Sequence, residues 1–182
     1  KKQKKTMPPK LYDLTTLQRE ANRFFGYTAQ ETLQELQELY EDKLVTYPRT
    51  DSQYITEDME QSTMELLEVL PEILPFLEGN MGYDVGRIIN NDKVSDHHAL
   101  LPTKESVKKG FSQLTEKQRN LYCMIGQRLA QAVSKECTYE ETQITVQCAG
   151  HEFMAKGKRM TEPGFWKIAT GFRASLKKSG AE

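Results

Sequence analysis

The residues of this chain whose types and spacing could do chemistry lie in Thr46-Tyr47-Pro48-Arg49-Thr50-Asp51-Ser52. Pro48 disfavours the helical region for Tyr47 and pushes it towards an extended backbone. Residues i and i+2 of an extended segment project from the same face, so the Tyr47 hydroxyl and the Arg49 guanidinium are expected to point the same way. A phenol beside a planar, bidentate donor suits attack on a phosphodiester: the phenol supplies the nucleophile and the guanidinium grips the phosphate oxygens. Read alone, the same residues also fit a surface loop with a half-buried tyrosine.

A second cluster follows at Asp96-His97-His98-Ala99-Leu100-Leu101-Pro102-Thr103. Side chains of adjacent residues diverge in helix and strand alike, so His97 and His98 are not spaced to share a metal ion. An imidazole can instead donate a hydrogen bond to a phosphate oxygen, neutral or charged. Tyrosine, arginine and histidine would then be three complementary tools for one phosphodiester. No spacing rule requires the two segments to meet, and an ordinary surface loop is the plain alternative here too.

The elements that must position these residues are mostly helical. Thr15 or Thr16 can cap a helix over about 17–25, with Gly26 as its terminator. Thr28-Ala29-Gln30-Glu31 has the capping-box form and opens a helix of about 29–42, with Leu33, Leu36 and Tyr40 as its buried stripe. Thr56 is placed to cap a helix over about 57–70, ended by Pro71. A short apolar run, Ile73 to Leu77, then leads into a glycine- and asparagine-rich loop. Thr115-Glu116-Lys117-Gln118 opens the longest helix, about 116–136, on which Leu121, Tyr122, Ile125, Leu129 and Val133 recur at helical spacing. The period then changes to two: Thr142, Ile144, Val146 and Cys148 alternate with polar residues, Ala149-Gly150 turns the chain, and a β-ribbon over about 138–170 is expected. A two-stranded ribbon alone is marginal in water, so its partner strands are expected N-terminal to this chain. The fold class is mainly α with a smaller β part. The organisation expected is an extended, lysine-rich segment at 1–10, a helical domain at 11–136, a returning ribbon at 137–176 and a tail at 177–182.

Composition bounds the setting. The chain has 182 residues and no apolar run long enough to span a bilayer, and its opening residues are not expected to be a signal peptide. It opens on Lys1 rather than methionine, and a segment of a longer protein is expected. Cys123, Cys137 and Cys148 form no CxxC pair, which points to reduced, mostly buried thiols in a cytoplasmic setting and against a zinc site. The net charge of −1 lends no global support to nucleic-acid binding, but the charge is unevenly spread. From Thr28 to Glu78 there are thirteen acids against two bases, Lys43 and Arg49, a local charge of −11. Bases gather at Lys1, Lys2, Lys4 and Lys5, at Lys108 and Lys109, at Lys156, Lys158 and Arg159, and at Lys177 and Lys178. If DNA binds, the acidic helices must face away from it.

Four segments in order, Leu17-Gln18-Arg19-Glu20-Ala21-Asn22, Leu39-Tyr40-Glu41, the tyrosine segment and the histidine segment, resemble the successive signatures of type IA DNA topoisomerases, especially the bacterial topoisomerase III branch. The resemblance runs from about Leu11 to Phe172. It implies an enzyme that cuts one DNA strand, passes another through the break and reseals it, relaxing negative supercoils or decatenating. Tyr47 matches the catalytic tyrosine, which becomes linked to the 5′ phosphate, and Arg49 the arginine that holds the scissile phosphate. His97 matches the family's phosphate-contacting histidine. His98 sits where some relatives place a glutamate and is secondary. Thr46, Tyr40, Glu41, Asp51 and Ser52 look like supporting or DNA-binding positions.

A phenol ordinarily ionises at about pH 10, so it needs help losing its proton and a cation to stabilise the transition state. Family members carry Mg²⁺ on a separate Toprim domain with a glutamate and a DxDxE motif. That motif is absent from this chain, so no metal site is expected in it. The resemblance implies the nucleophile's half of an active site, inactive without the metal half, in a helical gate domain whose outgoing and returning legs are parts of an arch. The partner implied is DNA, chiefly single-stranded or negatively supercoiled. The setting implied is the bacterial cytoplasm at the nucleoid, with a monomer and no membrane. Two alternatives remain open: a non-catalytic single-strand-binding module using Tyr47 for base stacking, and a helical interaction domain displaying a Tyr-Pro-Arg peptide.

Overall fold

In the computed structural model of the chain, residues 2–77, 79 and 82–179 are described. Lys1, Glu78, the Asn80-Met81 part of the glycine- and asparagine-rich loop and residues 180–182 lie outside them. The elements are β1 (Lys2–Thr6), α1 (Leu14–Phe25), α2 (Ala29–Glu41), α3 (Glu60–Val69), α4 (Lys104–Lys109), α5 (Glu116–Ala132), β2 (Cys137–Cys148), β3 (His151–Glu162) and α6 (Trp166–Ser179), with short 3₁₀ turns between α3 and α4. The class is mainly α with a smaller β part, as the periodicities suggest.

Helix starts follow local chemistry. Thr28 and Glu31 exchange both bonds of a capping box at α2, and Thr115 and Gln118 do the same at α5. At α1 the cap is Asp13, not Thr15 or Thr16: its carboxylate accepts from the Thr16 N–H at 2.7 Å, and the helix begins at Leu14. Gly26 ends α1 in the left-handed region at φ 73°. Thr56 makes no side-chain cap, and the segment after it enters α3 through a 3₁₀ turn at Glu57–Met59. Leu36 is buried as the stripe of α2 requires and Leu33 partly so, but Tyr40 leaves the stripe, and Thr32 and Leu39 are buried in addition. The Tyr40 ring is exposed and turned towards Tyr47.

Helix α5 is the centre of the core, with Leu121, Tyr122, Ile125, Leu129 and Val133 all fully buried. Gly126 lets Leu74 approach so closely that a Cβ would stand 2.4 Å from the leucine Cδ1. The thiols divide three ways: Cys137 is buried, Cys123 partly so and Cys148 exposed. Burial pushes the Cys123 thiol up to about 12. Part of the acidic run works internally: Glu31 pairs with Lys117 at 2.9 Å, Glu38 accepts from Gln118 at 2.8 Å, and Glu65 pairs with Lys104.

Two expectations about the β part change. The sheet has three antiparallel strands in the order β1-β2-β3, so the first partner strand of the ribbon is this chain's own Lys2–Thr6. The lysine-rich start is therefore a strand as far as Thr6, with Lys4 paired to Glu141 at 2.6 Å and Lys5 to Glu136 at 2.8 Å. The ribbon also stops at Glu162 rather than near 170 or 176. Trp166 and Ile168 match a period of two, but Ile168 and Phe172 recur at four, and both bury one helical face. Helix α6 folds back on the helical part, its Phe172 ring lying 6.3 Å from Phe24 and 5.8 Å from Phe76. It takes residues expected in the returning ribbon and extends through 177–179, expected as tail.

Candidate active site

Three extended segments, 11–14, 44–55 and 97–103, are laced together where α1 begins and α2 ends. Val45 pairs with Pro102, and Tyr12 with Leu100, as isolated antiparallel bridges. Thr46 is the first rivet: its N–H donates to the Leu101 carbonyl at 3.0 Å, and its hydroxyl accepts from the Leu101 N–H at 3.0 Å and donates to the Ala99 carbonyl at 3.3 Å. Thr50, buried to 6% exposure, is the second: its hydroxyl donates to the His97 carbonyl at 3.1 Å, and its own carbonyl accepts from the Leu14 N–H at 3.1 Å. Ser52 is the third, its buried hydroxyl donating to the Lys93 carbonyl at 2.7 Å. Each rivet satisfies backbone groups that irregular strands would otherwise leave unpaired.

This lacing brings the tyrosine and histidine segments together. The Tyr47 and His97 ring centroids stand 4.3 Å apart with their planes at 36°. Tyr40 closes the other side of Tyr47, edge-on, at 5.4 Å and 80°. Tyr47 is thus half-buried between two rings, with a fixed side-chain direction. His97 is exposed, and with Arg49, Asp51, Asp96, Asp13 and Thr15 it walls an open groove of about 450 Å³. His98 is half-buried, and its Nδ1–H donates to the Ala99 carbonyl at 2.7 Å, so one of its ring nitrogens is held by local backbone. Glu41 ends α2, exposed.

The straight extended run expected from Tyr47 to Arg49 does not persist. The chain bends at Pro48, and the Thr50 N–H donates to the Pro48 carbonyl at 3.0 Å, closing a three-residue turn around Arg49. Proline constrains the residue before it, not the one after, and Arg49 is free to turn into the groove beside His97.

A buried ionic network stands behind the site. Arg128, 8% exposed, donates to Glu20 at 2.5 Å, to the Tyr12 hydroxyl at 3.0 Å and to the Lys10 carbonyl at 3.3 Å. The Tyr12 hydroxyl donates to Glu20 at 2.5 Å, and burial drives this phenol's pKa far above its ordinary value. Tyr12 in turn accepts the Leu100 N–H at 2.9 Å, so the network holds the segment that docks the histidine loop. Sequence reasoning missed Arg128, Tyr12 and Asp13, which lie outside the segments that drew attention. Thr50 sat inside the tyrosine segment, and its hydroxyl was the one signal that could have marked it.

A family model described as DNA topoisomerase matches residues 1–180. The chain belongs to the DNA topoisomerase family. It is 41% identical over 176 residues to the DNA topoisomerase 3 of Bacillus subtilis, covering 90% of this chain and 23% of that protein. With the DNA topoisomerase 3 of Bacillus licheniformis it shares 41% over 176 residues, covering 93% of this chain and 24% of the relative. The fold matches full-length topoisomerase I from Thermotoga maritima with a TM-score of 0.70 at 24% identity, over 92% of this chain and 28% of that one. The resemblance to type IA topoisomerases drawn from the four motifs is thus borne out. The topoisomerase segment is short: it spans about a quarter of the length of its Bacillus relatives.

Among the described residues of this topoisomerase segment, no three His, Cys, Asp or Glu side chains are grouped to hold a metal ion. No helix among them is long and apolar enough to cross a membrane.

Proposed function

We propose that this chain carries the tyrosine half of the strand-cleaving centre of a type IA DNA topoisomerase. The observation that carries the reading is the approach of Tyr47 to His97, rings 4.3 Å apart, beside a groove walled by Arg49 and His97. Tyr47 and His97 lie fifty positions apart in sequence, and the hydroxyls of Thr46 and Thr50 join their two segments.

The chemistry is a transesterification. The Tyr47 oxygen attacks phosphorus, the bond from phosphorus to the 3′ oxygen breaks, and the strand is left as a 5′ phosphotyrosine and a free 3′ hydroxyl. The proton lost by the phenol is matched by the one the 3′ oxygen gains. Phosphate charge is conserved, so resealing is the same reaction reversed. Arg49 offers two parallel N–H donors to the non-bridging oxygens as charge grows on them. His97 offers a further N–H from the side of the tyrosine ring. Tyr40 and His97 hold the phenol in one direction, lowering the entropic cost of alignment.

The magnesium ion implied by the family resemblance has no fitted set of ligands among the described residues, and no step above passes through it. Its place in this reading is a Toprim domain of the longer parent protein, and the isolated chain is expected not to cleave DNA. The parent would act in the bacterial cytoplasm on single-stranded or negatively supercoiled DNA, the helical part lifting as a gate with the cut strand attached.

The test uses the complete parent with Mg²⁺ and negatively supercoiled DNA. Relaxation and a covalent protein–DNA adduct are expected, with the phosphotyrosine mapping to the peptide that contains Tyr47, and Tyr47→Phe should abolish both. An adduct that persists in Tyr47→Phe refutes the assignment. Single-strand binding with no adduct from the wild type would favour the non-catalytic binding module.

A further inference from the structure

The groove at Arg49 and His97 does not end there. A second hollow of about 380 Å³ shares Asp51 and Ser95 with it as common walls. A third, of about 240 Å³, shares Gln53 and Tyr54 with the second. At the joint between the second and third stands Tyr54, with the Lys93 ammonium 5.1 Å and the Lys10 ammonium 5.4 Å from its ring centre.

This joint is built rather than incidental. Tyr54 is fixed by its N–H, which donates to the Ser52 hydroxyl at 3.2 Å, and by its carbonyl, which accepts from Ala99 N–H at 2.9 Å. The carbonyls of Lys93 and Lys10 are themselves held, by Ser52 at 2.7 Å and Arg128 at 3.3 Å. Lys4, Lys5, Lys104 and Lys117 each pair with a carboxylate. Among the described residues neither Lys10 nor Lys93 does, and both converge on one phenol. The nearness of the Lys10 ammonium lowers that phenol's pKa. Two unneutralised ammoniums beside a hydroxyl make a site for a phosphate. Between this site and Arg49, the hollow walled by Asp51 and Asp92 repels phosphate but offers acceptors to the amino groups of a base.

We propose that Lys10, Lys93 and Tyr54 bind a second backbone phosphate of the same DNA strand, with the intervening nucleotide lying across the Asp51–Asp92 hollow. The proposal rests on reading the Arg49–His97 groove as the cleavage site. It gives the substrate a direction of travel: from His97 across Asp51 and Ser95 to Tyr54, and on towards Pro8 and Pro9.

The test is single-strand affinity of the complete parent in a Tyr47→Phe background, which separates binding from chemistry. A phosphate contact on a single strand contributes about 0.7 to the slope of log affinity against log salt. Lys10→Ala with Lys93→Ala, which together remove one phosphate contact, should therefore lower the slope by about 0.7, an affinity loss of about 5-fold at 0.1 M salt when carried from 1 M. Lys156→Ala, on the far ribbon, should leave the slope unchanged. Thermal melts matching the Tyr47→Phe parent confirm that the variants fold. An unchanged slope in the double variant, or an equal fall with Lys156→Ala, overturns the proposal. Adduct formation by the wild type is scored separately. An adduct without a slope change sinks the second phosphate site alone. A slope change without an adduct sinks the cleavage reading and leaves the phosphate site standing as a binding site.

Discussion

Arg128 offers a sharp test of how the site is held. It is the one charged side chain buried among the described residues, and of its partners Tyr12 and the Lys10 carbonyl sit on the segment leading into α1 while Glu20 sits on α1 itself. Arg128→Met keeps the aliphatic stem and removes the charge, leaving Glu20 and the Tyr12 hydroxyl to each other. Breaking a buried pair from one side costs about 3–5 kcal/mol. The Glu20 side chain is 28% exposed and can recruit water, and the Arg128 Nε–H is buried with no partner, so part of that cost is already present in the native state. We therefore expect a loss of about 3 kcal/mol, or about 6–12 °C in melting temperature for a chain of this size. Tyr12→Phe leaves the ion pair whole and should cost about 1 kcal/mol. Glu20→Gln with Arg128→Met should cost less than the two single changes together, with a coupling of about 1–3 kcal/mol. The assay is urea unfolding of the four variants with a common slope. A loss below about 1 kcal/mol for Arg128→Met, or a coupling near zero, would refute the view that this network clamps the segment.

Two further outcomes follow from local geometry. Gly164 stands at φ 48°, and a Cβ there would lie 2.3 Å from the Glu136 carbonyl oxygen, whereas at Gly150, φ 79°, nothing lies within 4 Å. Gly164→Ala should lower the unfolding free energy measured in urea by at least about 2 kcal/mol more than Gly150→Ala, since only the first adds a backbone clash to the strain; equal losses would contradict the packing of α6. Glu31 is held down to about 2 by the Thr28 backbone N–H first and the Lys117 ammonium next. A carboxylate with a lowered folded pKa stabilises the fold above its unfolded pKa near 4.5, and that contribution is lost as the pH falls through about 2. The Glu31 carboxyl should titrate near the lower value by NMR and rise in Thr28→Ala, and a wild-type midpoint above 4 would disprove the capping box in solution.

What the sequence disclosed and what it hid divide along physical lines. The helices with capping boxes were legible because Thr28 with Glu31, and Thr115 with Gln118, satisfy helix ends within four residues, so the signal is wholly local. Tyr47, Arg49 and His97 were legible as candidates because their types match one chemistry, though their meeting depends on Thr46 and Thr50 bonding fifty residues away. Helix α6 was misread because Trp166 and Ile168 mimic a strand period, and only the turn at Gly164 and the surface offered by Phe24 and Phe76 decide for a helix. The Arg128 network was invisible: Tyr12 and Glu20 lie on one short stretch, Arg128 more than a hundred residues on, and no periodicity links them. The same split bears on mechanism. Side chains that would touch the phosphate are short-range readable, while the groups that set their positions are buried, polar and distant in sequence. The reactive groups can sit on irregular extended segments only because Thr46, Thr50, Ser52 and Arg128 satisfy the backbone that such segments leave unpaired. Rigidity at Tyr47 is therefore inherited from hydrogen bonds rather than from a helix or a sheet, and loosening any one of these rivets should disturb the placement of Tyr47 against His97 before it unfolds the chain.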